Sequence, residues 1–404
     1  MFTDRVLSGM RPTGRMHLGH YHGALKNWVR LQEIYDCYYF VADWHALTTH
    51  YETPEAIADS AFEMVVDWLA AGINPEQSTV FVQSMVLEHA ELSLLLGMIT
   101  PVAWLERVPT YKDQQLKLKD RDLSMYGFLG YPVMMGADIL IYRANMVPVG
   151  EDQVSHLELT REMARRFNHL YGREPGFEEK AQAAIKKLGG KKSKRYEELR
   201  NAFQERGDES ALEAAKDLLE ETQNLSLGDR ERLFGYLEGS RRVILVEPKP
   251  LLTETPKVPG TDGQKMSKSY GNAILMREEP DTLTKKIRTM QTDPARARRT
   301  DPGNPERCPV WPLHQIYSSQ ETCDWVVKGC TTAGIGCLDC KQPLIESILV
   351  EQAPILERAQ RYLDHPALVR DILTDGCDRA RKAAAETMRD VREAMGLSYD
   401  RSFG

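Results

Sequence analysis

Short apolar runs alternate with amphipathic stretches through the first 170 residues of the chain. That alternation constrains the fold more than any other feature, because strands that take turns with helices build a mainly parallel sheet covered by those helices. The expected class is α/β. Arg5 to Ser8 is a short strand candidate, followed by Gly9, Pro12 and Gly14 in a turn and by Leu18, Tyr21, Leu25 and Trp28 at helical spacing. Cys37 to Ala42 is an apolar run of the kind found in a strand buried on both faces. Thr53 offers an N-cap with Pro54 at the first helical position, an amphipathic segment runs on through Leu69, and Gly72 closes it. Thr79 to Val82 predicts a further strand.

Beyond Gly172 a densely charged, Ala- and Leu-studded stretch runs to about Gly239 and reads as a helical insertion at the surface. Val243 to Val246 returns to strand character, and Pro248 to Pro259 reads as a Pro-rich loop. From about Lys285 the chain reads as helical to its end, apart from a cysteine-rich region, with Cys377, Ala380, Ala384, Met388 and Val391 on one face of the last helix. At 404 residues, with 42% hydrophobic and 27% charged, there is material for two or three domains and for a sizeable core. Lys and Arg total 52 against 59 Asp and Glu, a net charge of −7, so contact with a nucleic acid has to come from local patches. No stretch approaches the roughly 18 apolar residues of a membrane helix. The opening Met1 to Arg5 lacks an apolar signal core, and a cytoplasmic protein is expected.

Two segments carry recognisable chemistry. The first turn reads Gly9-Met10-Arg11-Pro12-Thr13-Gly14-Arg15-Met16-His17-Leu18-Gly19-His20. A helix starting near His17 puts His17 and His20 on one face of its N-terminus, where free N–H groups and the dipole attract phosphate, and Gly19 lets a flat ligand approach the backbone. Far downstream stands Gly263-Gln264-Lys265-Met266-Ser267-Lys268-Ser269. Two lysines beside two small hydroxyl residues on a loop can close over a triphosphate and neutralise the charge that builds on departing pyrophosphate.

H-L-G-H early and K-M-S-K-S late, in that order on an α/β framework, resemble the two signature motifs of class I aminoacyl-tRNA synthetases. The resemblance implies a Rossmann-like parallel-sheet catalytic domain with a helical C-terminal anticodon-recognition domain, ATP with Mg²⁺, and tRNA as second substrate. It implies His17, His20, Lys265 and Lys268 as catalytic residues. It places Arg11, Pro12, Thr13, Gly19, Val258, Met266, Ser267 and Ser269 with them around ATP.

Gly130-Tyr131-Pro132-Val133-Met134-Met135-Gly136-Ala137-Asp138 bears on the amino acid. With Pro132 at the first helical position, Tyr131, Met135 and Asp138 project from one face; a carboxylate can accept from an indole N–H, and a thioether offers a soft surface to a large ring. The stretch resembles the substrate helix of tryptophanyl-tRNA synthetases, whose tyrosyl relatives have glutamine where Met135 stands. Val147-Pro148-Val149-Gly150-Glu151-Asp152-Gln153 follows, a strand end turning into a helix, where α/β sheets bind ligands. By resemblance Gly150, Glu151 and Asp152 contact ATP, and Ser8, Gly9, His45, Tyr131, Met135, Asp138, Val147, Val149 and Gln153 surround tryptophan.

Cys330, Cys337 and Cys340 are spaced x6 and x2, and Cys308 lies 21 intervening residues earlier. Four thiolates can close a site for zinc or for an iron–sulfur cluster, and spacing leaves the metal open. A subset of bacterial tryptophanyl enzymes resembles this pattern, with one more residue in the first gap, and carries a [4Fe–4S] cluster near the anticodon-recognition region. The basic runs Lys285-Lys286-Ile287-Arg288 and Pro294-Ala295-Arg296-Ala297-Arg298-Arg299 are candidate phosphate contacts.

The resemblance divides the chain into a catalytic domain over 1–170, a charged helical insertion over 171–240, a return to the catalytic domain with the lysine loop over 241–285, and a helical anticodon-recognition domain with the four-cysteine site over 286–404. It implies attachment of L-tryptophan to tRNA-Trp through a tryptophanyl-adenylate by a homodimer, with no membrane or DNA partner. A tyrosyl enzyme, a non-charging RNA-binding paralogue and a small-molecule nucleotidyltransferase stand as alternatives.

Overall fold

The computed structural model describes residues 4–107, 125–150, 153–172, 176–237, 243–252 and 258–399. Strands β1 (Arg5–Met10), β2 (Asp36–Val41), β3 (Thr79–Val82), β4 (Met146–Val149) and β5 (Lys249–Leu252) form one sheet in the order β3-β2-β1-β4-β5. It is a parallel sheet of the Rossmann-like type: Tyr38 pairs with Thr79, Val6 with Met146, and Met146 with Lys249. In β2 every residue from Cys37 to Val41 is buried, as its unbroken apolar run predicts.

Three local expectations are corrected. The strand expected at Val243–Val246 is absent, and β5 lies inside the expected Pro-rich loop. The backbone of the former segment is satisfied by a side chain instead: Asn168 Oδ1 accepts from Ile244 N–H at 2.9 Å and Leu245 N–H at 3.1 Å, and its Nδ2 donates to the Leu245 carbonyl at 2.8 Å. Pro250 is tolerated in β5 because that strand is at the edge of the sheet, where a missing N–H costs no ladder bond. The helix expected from Pro54 begins at Glu55, with Pro54 itself as N-cap, and ends as expected at Gly72 in the left-handed conformation. Pro132 lies not at a helix start but inside the helix Tyr126–Ile141. Burial of Phe128, Tyr131, Val133, Ala137 and Leu140 outweighs the local cost of an interior proline.

The chain divides into two compact units, one of Met1–Ser8, Gln83–Leu252 and Cys377–Gly404, the other of Gly9–Val82 and Thr253–Gly376. In the second, Trp28 stacks on Tyr39 with ring centroids 4.3 Å apart and meets Trp68 edge-on at 5.1 Å. A further apolar cluster there joins Leu18, Val258, Met266 and Ile274 to Leu283, Val310, Leu313, Leu344 and Ile348. In the first, helix Tyr126–Ile141 packs on helices Glu88–Gly97 and Val154–Tyr171. Helices Phe177–Lys187, Gly190–Arg206, Glu209–Glu220 and Leu227–Leu237 share a core of their own, in which the Tyr196 hydroxyl donates to the Leu233 carbonyl at 2.5 Å. The last helix, Pro366–Ala394, buries Cys377, Ala380, Ala384, Met388 and Val391, the face its spacing predicts.

Candidate active site

In the unit of Gly9–Val82 and Thr253–Gly376, β1 runs into the first turn, where Gly14 takes φ +85°. The helical stretch then starts at Leu18 with His17 as N-cap, and a π-helical turn, Tyr21–Leu25, follows His20 directly. The His17 and His20 rings stack with centroids 3.7 Å apart. Gly19 makes that possible, since a Cβ there would stand 3.0 Å from the His17 ring. The His17 N–H donates to His20 Nδ1 at 3.3 Å, which leaves the His20 proton on Nε2. His17 Nδ1 is buried and has no hydrogen-bond partner among the described residues. Burial, reinforced by Lys268, lowers the His17 pKa to about 4; burial, reinforced by His17, lowers that of His20 to about 3. Both rings are therefore neutral near pH 7, able to donate to a phosphate.

Lys268 closes on this turn. Its ammonium donates to the Thr13 carbonyl and, at 2.9 Å, to the Arg15 carbonyl. Arg11, Thr13, Gly14 and His20, with Met10, Met16 and Met64, line a cavity of about 240 Å³. Burial lowers the Lys268 pKa, partly opposed by the charge of Asp67. Lys265 is exposed, Ser267 and Ser269 hydroxyls stand 2.8 Å apart, and Met266 and Val258 are in the apolar cluster rather than at the surface. Pro12 is buried in the turn.

Three residues that hold these motifs have no sequence signal of their own. Asp67, fully buried on helix Glu55–Ala71, accepts from the Met16 N–H at 2.6 Å and from Arg277 Nε at 2.5 Å. Arg277 also donates to Glu63 at 2.5 Å, and Arg15 donates to the Arg277 carbonyl. Asn272, 2% exposed, accepts from the Ser267 N–H at 2.7 Å and donates to the Lys265 carbonyl at 3.1 Å, so it shapes the lysine loop.

The unit containing Gln83–Leu252 carries most of the expected amino-acid residues. Tyr131, Met135 and Asp138 share helix Tyr126–Ile141; Tyr131 and Asp138 are buried and Met135 half-buried. The Tyr131 hydroxyl stands 3.2 Å from His156 Nε2. Val147 and Val149 are buried in β4, and Gln153 caps helix Val154–Tyr171 with its N–H on the Gly150 carbonyl at 3.0 Å. Ser8 is in β1 of the same unit. Gly9 and His45, the latter buried in helix Asp43–His50, belong to the other unit. Glu151 and Asp152 lie outside the described residues. The Asp138 carboxylate is engaged by Gln83 and His89, neither of which the sequence singles out.

Cys308, Cys330, Cys337 and Cys340 line one cavity with Asp293, Arg296 and Lys341. Buried Arg296 stands 4.0 Å from Cys330 Sγ, and its other nitrogen donates to the Ile335 carbonyl at 2.6 Å. His314 Nε2 is 3.4 Å from Cys340 Sγ. Cys323 is apart from the four, near the His314 carbonyl. Among the described residues no three His, Cys, Asp or Glu side chains are arranged to hold a single metal ion. Of the basic runs, Lys286 is engaged by the Ala273 carbonyl and Glu278, and Arg296 is buried; Lys285, Arg288, Arg298 and Arg299 are exposed.

The chain matches the family model of class I tRNA synthetases (W and Y) over residues 3–195 and 209–349. It is 69% identical to the tryptophan–tRNA ligase of Ralstonia nicotianae, covering 99% of this chain and 100% of that one. It is 46% identical to that of Thermotoga maritima, covering 98% and 100%. Among solved structures, the tryptophanyl-tRNA synthetase of Campylobacter jejuni complexed with ADP and tryptophan superposes with a TM-score of 0.73 at 28% identity, covering 97% of this chain and 100% of that one. With its two motifs meeting in one unit and similarity of this extent along the whole chain, the protein belongs to the class I tRNA synthetases, in the family of tryptophan–tRNA ligases.

Proposed function

We propose that this chain activates L-tryptophan with ATP and loads it onto tRNA-Trp, as a cytoplasmic homodimer. The observation that carries the reading is the closure of Lys268 on the Thr13 and Arg15 carbonyls beside the stacked His17 and His20. Those carbonyls mark where a cation is already directed, next to two neutral imidazoles and a cavity large enough for part of a nucleotide. A tryptophan carboxylate oxygen attacks the α-phosphorus of ATP, the α–β P–O bond breaks, and pyrophosphate leaves with the electron pair. No enzyme nucleophile is needed, so the protein's part is positioning and charge stabilisation. His17, His20, Lys265 and Lys268 take the phosphate charge, with Arg11, Pro12, Thr13, Gly19, Val258, Met266, Ser267 and Ser269 around the nucleotide. Gly150, Glu151 and Asp152 are proposed for its ribose side. Asp138 accepts the indole N–H, Gln153 holds the ammonium, and Ser8, Gly9, His45, Tyr131, Met135, Val147 and Val149 complete the tryptophan pocket. A tRNA 2′-hydroxyl then attacks the adenylate carbonyl and AMP leaves. Support for both small ligands comes from the Campylobacter jejuni relative, described as complexed with ADP and tryptophan.

Magnesium is proposed to arrive on the nucleotide, because among the described residues the cavity lining offers no carboxylate to hold it. The four-cysteine cavity is proposed as a [4Fe–4S] site. An all-thiol donor set fits zinc or a cluster, but a single zinc needs its four sulfurs each within about 2.3 Å of one point. The irons of a cluster take one cysteine each, and four thiols lining one cavity supply that number. Residues 286–404 are proposed to read the anticodon, residues 1–170 with 241–285 to perform the chemistry, and 171–240 to form a separate insertion.

ATP–pyrophosphate exchange with each amino acid, followed by charging of total tRNA, tests the function: tryptophan-dependent exchange and a charged tRNA-Trp are expected. Exchange driven better by tyrosine, or no charging at all, overturns it. Iron and acid-labile sulfide in anaerobically purified protein test the cluster; stoichiometric zinc instead rejects it.

A further inference from the structure

Asp138 is 1% exposed, and its carboxylate is held by two side chains from other segments. Gln83, the first residue after β3, places Nε2 at 2.8 Å and 3.0 Å from the two carboxylate oxygens. His89, on helix Glu88–Gly97, places Nδ1 at 2.6 Å from Oδ1. The other imidazole nitrogen stands 2.6 Å from the hydroxyl of Tyr142, one helical turn beyond Asp138. Gln83 and His89 are both fully buried.

An amide NH₂ only donates, so both Asp138 oxygens act as acceptors towards Gln83. With a neutral ring, His89 donates its Nδ1 proton to Oδ1 and its Nε2 accepts from the Tyr142 O–H. In that tautomer Tyr142 holds the His89 ring, and His89 with Gln83 holds the plane of the carboxylate. With its Nε2 turned to Asp138, Gln83 leaves Oε1 buried without a hydrogen-bond partner among the described residues.

We infer that Gln83, His89 and Tyr142 are positioning residues for amino-acid selection: they hold the Asp138 carboxylate in the one orientation that accepts an indole N–H, so that specificity depends on side chains that do not touch the ring. The inference rests on the proposed role of Asp138. A carboxylate free to turn about χ2 spreads its lone pairs over many directions, whereas a locked one presents a fixed acceptor and rejects a ring without a donor.

The test is ATP–pyrophosphate exchange with tryptophan and with β-(benzothiophen-3-yl)alanine, in which sulfur replaces the indole N–H at nearly constant shape. The wild type is expected to prefer tryptophan, and Asp138→Ala to erase most of that preference. Gln83→Leu and His89→Phe are expected to lower the preference about tenfold, through KM for tryptophan, with KM for ATP within about twofold of wild type. Tyr142→Phe, which removes one hydroxyl and keeps the packing, is expected to lower it about threefold and provides the reading if His89→Phe fails to fold. A merely structural role would change stability and leave the ratio of the two substrates unmoved. Full preference in Gln83→Leu and Tyr142→Phe, with loss in Asp138→Ala, overturns the inference and leaves the pocket intact; full preference in Asp138→Ala as well overturns the pocket.

Discussion

Asp67 joins three stretches of chain: its own helix, the backbone at Met16 just before His17, and Arg277 beyond the lysine loop. Burial pulls its carboxyl up from the ordinary carboxylate range, while Arg277 and the Met16 N–H pull it down. Asp67→Asn keeps the shape and removes the charge, leaving the Arg277 guanidinium buried with one anionic partner fewer. The expected cost is about 3–5 kcal/mol, measured by urea unfolding, with KM for ATP rising more than KM for tryptophan. The histidines make a second prediction. Both have folded pKa values below the ordinary 6.5, at about 4 for His17 and about 3 for His20. Between those values the unfolded chain binds protons that the folded chain does not, so their contribution to stability is full above pH 6.5 and is lost as pH falls towards 4 and 3. The double variant His17→Gln, His20→Gln is expected to flatten the decline of the ligand-free protein's unfolding midpoint between about pH 6.5 and 4.5. An unchanged slope would assign that decline to other groups.

At the level of elements, the loop carrying Lys265 to Ser269 is shaped by Asn272 and anchored by Met266 in the apolar cluster, so its lysines are presented from a braced turn. Lys268 in turn reaches neutral carbonyl acceptors, which a phosphate oxygen outcompetes because it adds full charge. Lys268→Ala is therefore expected to slow adenylate formation by about 2–4 kcal/mol of transition-state stabilisation, with a smaller effect on tryptophan affinity, read from single-turnover exchange. Wild-type turnover would remove Lys268 from the chemistry. The π-helical turn at Tyr21–Leu25 belongs to this scale too. It inserts a residue just after His20 and changes which later side chains follow the histidines round the helix, a shift that a regular 3.6-residue period does not anticipate.

For the molecule as a whole, a net charge of −7 means that an RNA must find local positive surface. Lys285, Arg288, Arg298 and Arg299 are exposed, whereas Lys286 and Arg296 are committed to internal partners. The double charge reversal Arg298→Glu, Arg299→Glu is expected to weaken tRNA binding in aminoacylation and to reduce its salt dependence, leaving tryptophan-dependent exchange unchanged. Retained tRNA affinity would move the interface elsewhere. Light scattering at twice the mass of one chain is the expectation for the proposed dimer, and the mass of a single chain would reject it.

Much of the fold was legible because it rests on local periodicity: β2 reads as buried from its unbroken apolar run, and Cys377 to Val391 read as one face of a helix. The motif residues were legible because glycine, histidine and lysine are constrained by backbone approach and charge at their own positions. Where local signals conflicted with packing, packing won. Pro132 runs through a helix, and Val243–Val246 gives its hydrogen bonds to the Asn168 side chain instead of to a sheet. By itself the sequence determined the α/β class, the H-L-G-H and K-M-S-K-S motifs and the four cysteines. Only the tertiary structure decided that Asp67 and Arg277 tie those motifs together, and that Gln83, His89 and Tyr142 surround Asp138. A hydrogen bond depends on where two side chains arrive in space, and residues dozens or hundreds of positions apart carry no periodicity that announces their meeting.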